Sequence, residues 1–247
     1  MDLTDGATLF VAATGAGAIN ALVGSGSLIT FPTLIALGYP PILATVSNNV
    51  GLVPGMAGAV YGYRRELAGQ TGLLLRLAGA AASGALIGSL LLLTLPAAVF
   101  RLVVPGLIVV ACALVVLQPI LARRVVTEHA SSGPWLWIAV FGTGIYGGYF
   151  GAAQGVILMG ILGAFVAESI QRINAVKNAI ALIVNLAAAI VFVAVTTVNW
   201  VVALVIAVGS TIGGLLGSRF GRLLSPDVLR AAILLVGALA IVHLVVL

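Results

Sequence analysis

Apolar residues fill six long stretches of the chain that contain no acidic or basic side chain. These stretches are residues 6–63, 77–100, 102–122, 130–167, 178–218 and 231–247. A helix needs about 20 apolar residues to cross a bilayer, so each stretch holds one span or more, the last only just. The pattern predicts an all-α polytopic membrane protein, with residues 1–247 forming a single transmembrane domain.

Two of these stretches predict broken helices. Residues 8–38 would make one helix of about 46 Å at 1.5 Å per residue, whereas the hydrocarbon core is about 30 Å thick. Small residues interrupt its middle at Gly24–Ser27, and residues 134–167 contain a similar glycine-rich interruption. Each segment is either a kinked span or a re-entrant helical hairpin that returns to the side it entered.

Short motifs recur in the same order in the two halves of the chain. Gly15-x-Gly17 reappears as Gly142-x-Gly144, Val46-x-Asn48 as Val176-x-Asn178, and Gly84-x-x-x-Gly88 as Gly213-x-x-x-Gly217. The order predicts a duplication, with repeat one at about residues 7–120 and repeat two at about 134–247. A polar linker, residues 121–133, joins them.

The positions of the eleven Lys and Arg residues distinguish the two topologies. If both broken segments span the membrane, the basic residues are divided between its sides without bias. If both re-enter, all except Arg101 lie on one side, as the positive-inside rule requires. The sequence thus predicts six full spans and two re-entrant hairpins, with both termini outside. Each repeat is a hairpin plus three transmembrane helices, and the two repeats are inverted.

Composition removes other classes of protein. Only 7% of residues are charged and 62% are hydrophobic, whereas a soluble domain carries roughly a quarter charged residues. The net charge of +5 comes from basic residues at the ends of apolar stretches, where they orient the chain in lipid, so no nucleic-acid partner is expected. The segment Met1–Asp5 lacks the basic region of a signal peptide, and we expect it to be retained. The oligomeric state is not predicted.

The first candidate site is the interruption formed by Gly24, Ser25, Gly26 and Ser27. Backbone N–H groups at a helix start bind anions without a formal charge, with help from the helix dipole. The alternative is that these small residues only allow close helix packing. In the second half, Gly151 recurs in the equivalent interruption, and Gln154 takes the place of Ser27 and offers an amide donor.

The second candidate site contains Asn48 and Asn178, which occupy equivalent repeat positions. Asn174, Lys177, Asn178 and Asn185 fall within a roughly 100° arc of one helix, so this face is expected to meet a cavity or neighbouring helices instead of lipid. Lys177 is either a counter-charge for a substrate or a side chain that extends to the lipid headgroups. We also expect Asn48→Leu or Asn178→Leu to abolish transport without affecting membrane insertion.

Other features are assigned to packing and anchoring. Small residues repeat every three or four positions at Gly51, Gly55, Gly58 and Gly62, and also at Gly84/Gly88 and Gly213/Gly217. These positions are expected to let helices approach closely. Arg172 and Glu168 are expected to form a solvated pair at the membrane boundary, and Arg101 and Arg230 to anchor at the interface. His129 and His243 lack neighbours with metal-ligand spacing, so no metal or cofactor is expected.

The candidate residues and motifs of the chain favour transport as its function. Intramembrane catalysis needs a Ser–His pair, two aspartates or a metal cluster within the spans, and the apolar stretches contain none, so no enzyme is expected. The sequence has no Gly-x-x-x-x-Gly-Lys loop for ATP, which favours a secondary transporter. A channel is the alternative, because inverted repeats with broken helices occur in both classes.

Residues 15–49 resemble the opening signature of the TauE/SafE sulfite-exporter family. The resemblance lies in a Gly-rich turn, Leu37-Gly38-Tyr39-Pro40-Pro41 and Ala44-Thr45-x-x-Asn48, and it recurs around Asn174–Asn178. Family members typically have Gly-Gly-Gly where this chain has Gly24–Ser27. The resemblance implies a multi-pass transporter in a bacterial cell membrane that moves a small sulfur-containing or organic anion, such as sulfite or a sulfonate. A transporter of a non-anionic solute is the further alternative.

Overall fold

The computed structural model describes residues 1–123 and 133–220, which contain helices and no strand. The helices are α1 (Leu3–Leu22), α2 (Ser27–Ala36), α3 (Pro41–Gly62), α4 (Thr71–Thr94), α5 (Ala97–Arg123), α6 (Pro134–Tyr149), α7 (Gln154–Phe165), α8 (Ile170–Val195) and α9 (Trp200–Phe220). The predicted all-α architecture is confirmed. Most of the linker, the last predicted span, Arg230, both histidines and the side chain of Arg101 lie outside the described residues.

Local sequence signals explain where several helices begin. The carboxylate of Asp2 accepts a hydrogen bond from Asp5 N–H, and the Asp5 carboxylate accepts one from Asp2 N–H, which forms a capping box at the start of α1. Pro41 and Pro134 open α3 and α6. Proline suits the first helical position because its missing N–H would have had no intrahelical partner there.

The two predicted interruptions are confirmed as breaks between helices. Break one, residues 23–26, separates α1 from α2, and break two, residues 150–153, separates α6 from α7. Gly24 and Gly151 take φ values of +80° and +75°, a region that glycine enters without the steric penalty of a Cβ atom. The glycines therefore permit the change of chain direction at each break.

The outer surface of the bundle is apolar, as lipid contact requires. Within the described residues, α4, α5, α8 and α9 are each long and apolar enough to cross a membrane. Large apolar side chains are exposed on them, including Leu102 at 81% and Leu204 at 62%. Helix α3 is 22 residues long, but Ser47, Asn48 and Asn49 lower its mean hydropathy. The chain is a multi-pass membrane protein.

Glycine seams hold the helices together. Gly17 of α1 and Gly55 of α3 both pack against Ser210 of α9, and Gly84 and Gly88 of α4 pack against the backbone of α6. A Cβ atom at these glycines would overlap the neighbouring helix. Overpacking of this kind costs about 1–3 kcal/mol per site. The predicted packing role of the small-residue stripes is confirmed.

The contacts along these seams give the relative directions of the helices. On α1 and α9, contacts progress from Phe10 against Gly209 to Ala18 against Gly217, so the two helices run parallel. Helices α3 and α9 are also parallel, because their contacts progress from Gly51 against Ala203 to Gly62 against Ser218. Helices α1 and α3 therefore run in the same direction.

A matching pair of parallel helices joins α4 of the first half to α6 of the second half. Helices α4 and α6 run parallel, because Gly84 contacts Phe141 and Gly88 contacts Tyr149. Helix α8 crosses α3 in the opposite direction. The Asn49 amide binds Asn185, whereas Met56, further along α3, shares a cavity with Lys177, earlier on α8.

Candidate functional site

The two breaks touch each other inside the bundle. Gly155 N–H, in the first turn of α7, donates a hydrogen bond to the Gly24 carbonyl at 3.0 Å. The backbones are so close that a Cβ atom on either glycine would overlap the other. Two segments more than 120 residues apart in sequence thus form one junction, where irregular backbone is enclosed by protein as membrane burial requires.

A small polar cavity adjoins this junction. Its lining comes from both breaks and from helices α1, α3, α7 and α8, and consists of Asn20, Gly24, Met56, Ala59, Gly151, Gln154, Gly155, Lys177, Asn178 and Ala181. The cavity volume is about 10 Å³, which is room for about one water molecule. We call it the central cavity. The described conformation is closed around it, since a polyatomic anion would need more space.

The polar face of α8 binds the carboxyl end of α1. The side-chain amides of Asn174 and Asn178 donate to the Ala21 carbonyl at 3.2 and 3.0 Å, and Lys177 Nζ donates to the Asn20 carbonyl at 3.3 Å. The last carbonyls of a helix have no intrahelical donor and carry the negative end of its dipole. The predicted orientation of this face, away from lipid, is confirmed.

Lys177 is the most unusual side chain at the junction. It is 1% exposed, so the alternative in which it extends to the lipid headgroups is wrong. Within the described residues the ion pair of Arg172 with Glu168 is distant from it, and no carboxylate lies within ion-pair distance of its ammonium group. A buried basic side chain in a membrane bundle usually faces a partner or a substrate pathway. Here the described part of the chain supplies only the Asn20 backbone carbonyl as a hydrogen-bond partner.

Two amide groups on the central cavity have donors without a partner. Asn20 Oδ1 accepts from Gly26 N–H at 2.7 Å, which leaves Asn20 Nδ2 unpaired. Gln154 Oε1 accepts from Asn185 Nδ2 at 3.4 Å, which leaves Gln154 Nε2 unpaired. Buried polar groups without partners are uncommon and costly. Asn20, Gln154 and Lys177 therefore line one small volume, and the two amides carry N–H groups that have no partner among the described residues.

The remaining predicted residues divide between the cavity and its surroundings. Gly24, Gly151, Gln154, Lys177 and Asn178 line the central cavity. Ser25, Gly26 and Ser27 belong to break one and the start of α2 but do not line it. Asn48 is buried, with its Oδ1 unpaired, and also does not line it.

Several lining residues were missed by the sequence analysis. Asn20 is the only amide side chain in α1, and its position four residues before Gly24 was a usable signal. Met56 and Ala59 gave no such signal, because only the crossing of α3 over the junction brings them there. Asn49 was likewise missed as a partner of Asn185.

The boundary pair is confirmed outside the cavity. Arg172 and Glu168 form an ion pair at 3.1 Å with side chains 36% and 29% exposed. The pair also joins the two halves, since Gln70 donates to Glu168 at 2.8 Å and Arg172 donates to the Ala68 carbonyl at 2.8 Å. Among the described residues, no three His, Cys, Asp or Glu side chains are grouped to hold a metal.

A multi-pass helical protein whose broken helices meet at an enclosed polar cavity has the architecture of a membrane transporter. Residues 9–244 match the family model described as sulfite exporter TauE/SafE, and the chain belongs to that family. It is a multi-pass transporter of the cell membrane. The expectation drawn from residues 15–49 and 174–178 is confirmed at the level of the family.

Curated relatives agree with this assignment and cover nearly the whole chain. The probable membrane transporter protein ORF9 of Sinorhizobium sp. is 28% identical over 95% of this chain and 90% of its own length. The probable membrane transporter protein YfcA of Escherichia coli K12 is 28% identical over 93% of this chain and 86% of its own length. A probable membrane transporter protein of Haemophilus influenzae is 27% identical over 86% of this chain and 84% of its own length. No solved structure matches the chain.

Proposed function

We propose that this chain is a secondary transporter of a small anion, such as sulfite or a sulfonate, and that the anion binds in the central cavity. The observation that carries the proposal is Lys177, which is 1% exposed and has no acidic partner among the described residues. Unpaired amide donors of Asn20 and Gln154 line the same cavity. The site therefore favours a negatively charged ligand that accepts several hydrogen bonds.

The physical reason is the cost of burying charge and polar groups alone. Removing an ion from water costs several kcal/mol even after the protein relaxes, and an unsatisfied donor costs about 1–3 kcal/mol. An oxyanion offsets both costs, because its oxygens accept hydrogen bonds from the donors and its charge neutralises the ammonium group. The carboxyl end of α1 does not provide this compensation in full, since it bears only a partial charge.

The proposed topology has two inverted repeats, each with a re-entrant hairpin and three transmembrane helices. The parallel directions of α1 and α3 support the hairpin, because α2 alone must return the chain between them. Helix α2 has ten residues, or about 15 Å at 1.5 Å per residue, which is half the thickness of the hydrocarbon core. The matched parallel pairs α1–α9 and α4–α6 support the inverted repeat.

The small central cavity is compatible with a carrier, and the flux measurement described below distinguishes a carrier from a channel. A carrier passes through a state in which the site is open to neither side, whereas a conducting channel has a continuous pore. The cavity of about 10 Å³ corresponds to the closed state of an alternating-access cycle. Binding requires the two breaks to separate enough to admit the anion, with Gly24 and Gly155 as the closest contact between them.

The choice of sulfite follows from the name of the family, sulfite exporter TauE/SafE, together with the proposed anion site. The three relatives described above are named only as probable membrane transporter proteins. Their names therefore support transport and leave the class of solute to the site itself.

The test is flux into proteoliposomes containing the purified protein. We expect saturable uptake of radiolabelled sulfite that is accelerated by unlabelled sulfite inside the vesicles, and competition by sulfonates and thiosulfate. Voltage-driven currents far above carrier rates would instead indicate a channel. Uptake of neutral solutes without competition by any anion would refute the anion site.

A further inference from the structure

A chain of hydrogen bonds joins the side-chain amide of Gln154, which lines the central cavity, to two buried asparagines that do not line it. Asn49 Nδ2 of α3 donates to Asn185 Oδ1 of α8 at 2.8 Å, and Asn185 Nδ2 donates to Gln154 Oε1 at 3.4 Å. Asn49 and Asn185 are 7% and 5% exposed. Three amides from α3, α8 and α7 thus form one hydrogen-bonded chain, with its inner end on the cavity.

A backbone carbonyl fixes the direction of this chain. Asn185 Nδ2 also donates to the Ala181 carbonyl at 2.9 Å. Because a carbonyl oxygen only accepts hydrogen bonds, the atom of Asn185 that faces Ala181 must be the amide nitrogen. The carbonyl oxygen of Asn185 must then face Asn49, and its second N–H is directed to Gln154.

The fixed direction decides which atom of Gln154 reaches the solute. Because Asn185 donates a hydrogen bond to Gln154, the carbonyl oxygen of Gln154 accepts it. The amide nitrogen of Gln154 is then left without a partner among the described residues. The reversed arrangement would present an acceptor to the cavity, which repels an anion. We propose that Asn185, held by Asn49, is a positioning residue that fixes the Gln154 amide as a hydrogen-bond donor to the transported anion.

The inference deepens the proposed function and depends on it for the identity of the ligand. It adds two residues, Asn49 and Asn185, that do not line the central cavity. It also gives them a specific effect, which is to set the preference of the site for acceptors over donors. A buried polar network of this kind acts as a unit, so its members are expected to couple energetically.

The experiment is a double-mutant cycle of Asn185→Ala and Gln154→Ala on sulfite counterflow in proteoliposomes. We expect each single variant to raise KM roughly three- to tenfold, or about 0.7–1.4 kcal/mol at 1.4 kcal/mol per tenfold, with Vmax within about twofold of wild type, because each variant removes or weakens one hydrogen bond to the solute. The double variant should match Gln154→Ala alone, because Asn185 acts only through Gln154.

Asn174→Ala is the matched control, since Asn174 is another buried asparagine on α8 that binds Ala21 and does not contact Gln154. Its effect on KM should multiply with that of Gln154→Ala. A normal KM for Asn185→Ala would overturn the inference, as would an undiminished effect of Asn185→Ala in the Gln154→Ala background.

The cycle separates failure of the inference from failure of the proposed function. Absence of saturable anion flux in the wild-type protein would refute the anion proposal itself. Saturable wild-type flux with independent effects of Asn185 and Gln154 would refute only the positioning role. If Asn185→Ala proves too unstable to purify, Asn49→Ala tests the same chain from its outer end, with a smaller expected rise in KM that must also vanish without Gln154.

Discussion

Break one and break two each contain a glycine at nearly the same backbone angle, φ +80° at Gly24 and +75° at Gly151, but different parts of the protein stabilise them. The α1 carbonyls before break one accept hydrogen bonds from Asn174, Lys177 and Asn178 of the opposite half. In break two, the Ala152 carbonyl accepts a hydrogen bond from Tyr146 of α6, in the same half of the chain.

The difference corresponds to a difference in sequence between positions that the proposed duplication pairs. At an offset of 130 residues, α3 carries Ala44 and Ser47 where α8 carries Asn174 and Lys177. Two symmetric sites would place two basic groups near one another, and like charges in a low-dielectric interior repel strongly. Among the described residues, Lys177 is thus the single basic group at the junction, as the proposed binding of one anion requires.

The largest expected effect separates the two breaks by their tolerance of a side chain. Gly24→Ala, Gly151→Ala and Gly38→Ala all place alanine at positive φ, which costs about 1–2 kcal/mol. Only at Gly24 would the new Cβ overlap another backbone, that of Gly155, whereas at Gly38 it meets open space. We expect this overlap to cost Gly24→Ala about 1–3 kcal/mol more and to make it the least stable of the three variants in detergent. Melting temperatures should decrease in the order Gly38→Ala, Gly151→Ala, Gly24→Ala. An equal loss of melting temperature in Gly24→Ala and Gly38→Ala would contradict the close junction.

The next effect tests the unequal charge. Lys177→Met should raise KM for sulfite roughly 10- to 100-fold, because a hydrogen bond to a charged group contributes about 1.5–3 kcal/mol and 1.4 kcal/mol is tenfold in affinity. Ser47→Ala, at the equivalent position, should leave KM unchanged, since Ser47 Oγ only accepts from Asn199 N–H. Counterflow kinetics of both variants measure the contrast, and equal KM values would show that Lys177 has only a capping role.

A smaller contrast is expected between the paired asparagines. Asn178 lines the central cavity and binds Ala21, whereas Asn48 does not line it. The contacts thus replace the loss of all transport expected from the sequence with a graded effect. Asn178→Leu should reduce sulfite uptake by roughly tenfold, as expected for one lost hydrogen bond of about 1.4 kcal/mol, and Asn48→Leu should reduce it less. Uptake normalised to inserted protein measures both. A larger loss in Asn48→Leu would indicate that the transported solute contacts α3 in a more open conformation.

The smallest expected effect lies within break two. Tyr146→Phe removes the hydroxyl that donates to the Ala152 carbonyl and should lower stability by about 1 kcal/mol, or roughly 2–4 °C in melting temperature for a chain of this size. KM for sulfite should not change, because Tyr146 does not line the central cavity. A shift in KM without a shift in melting temperature would mean that break two binds the solute directly.

Much of the fold could be predicted because its signals are local. The apolar stretches indicate the spans, and the glycines at positions 24 and 151 indicate the breaks. The polar arc of α8 follows from helical periodicity alone. The candidate site was predicted less well, since only one residue of the Gly24–Ser27 segment lines the central cavity. Which side of a turn faces a cavity depends on the neighbours that pack against it.

The sequence by itself determined the class of protein, the positions of the breaks and the presence of one lysine on a polar helical face. Only the tertiary structure decided that Lys177 faces Asn20 across 157 positions of sequence, and that Asn49 and Asn185 form a chain to Gln154. The physical reason is the distance along the sequence over which each signal acts. Hydropathy and glycine act on the adjacent backbone, whereas the pairing of buried donors with acceptors is settled only when distant helices close against each other.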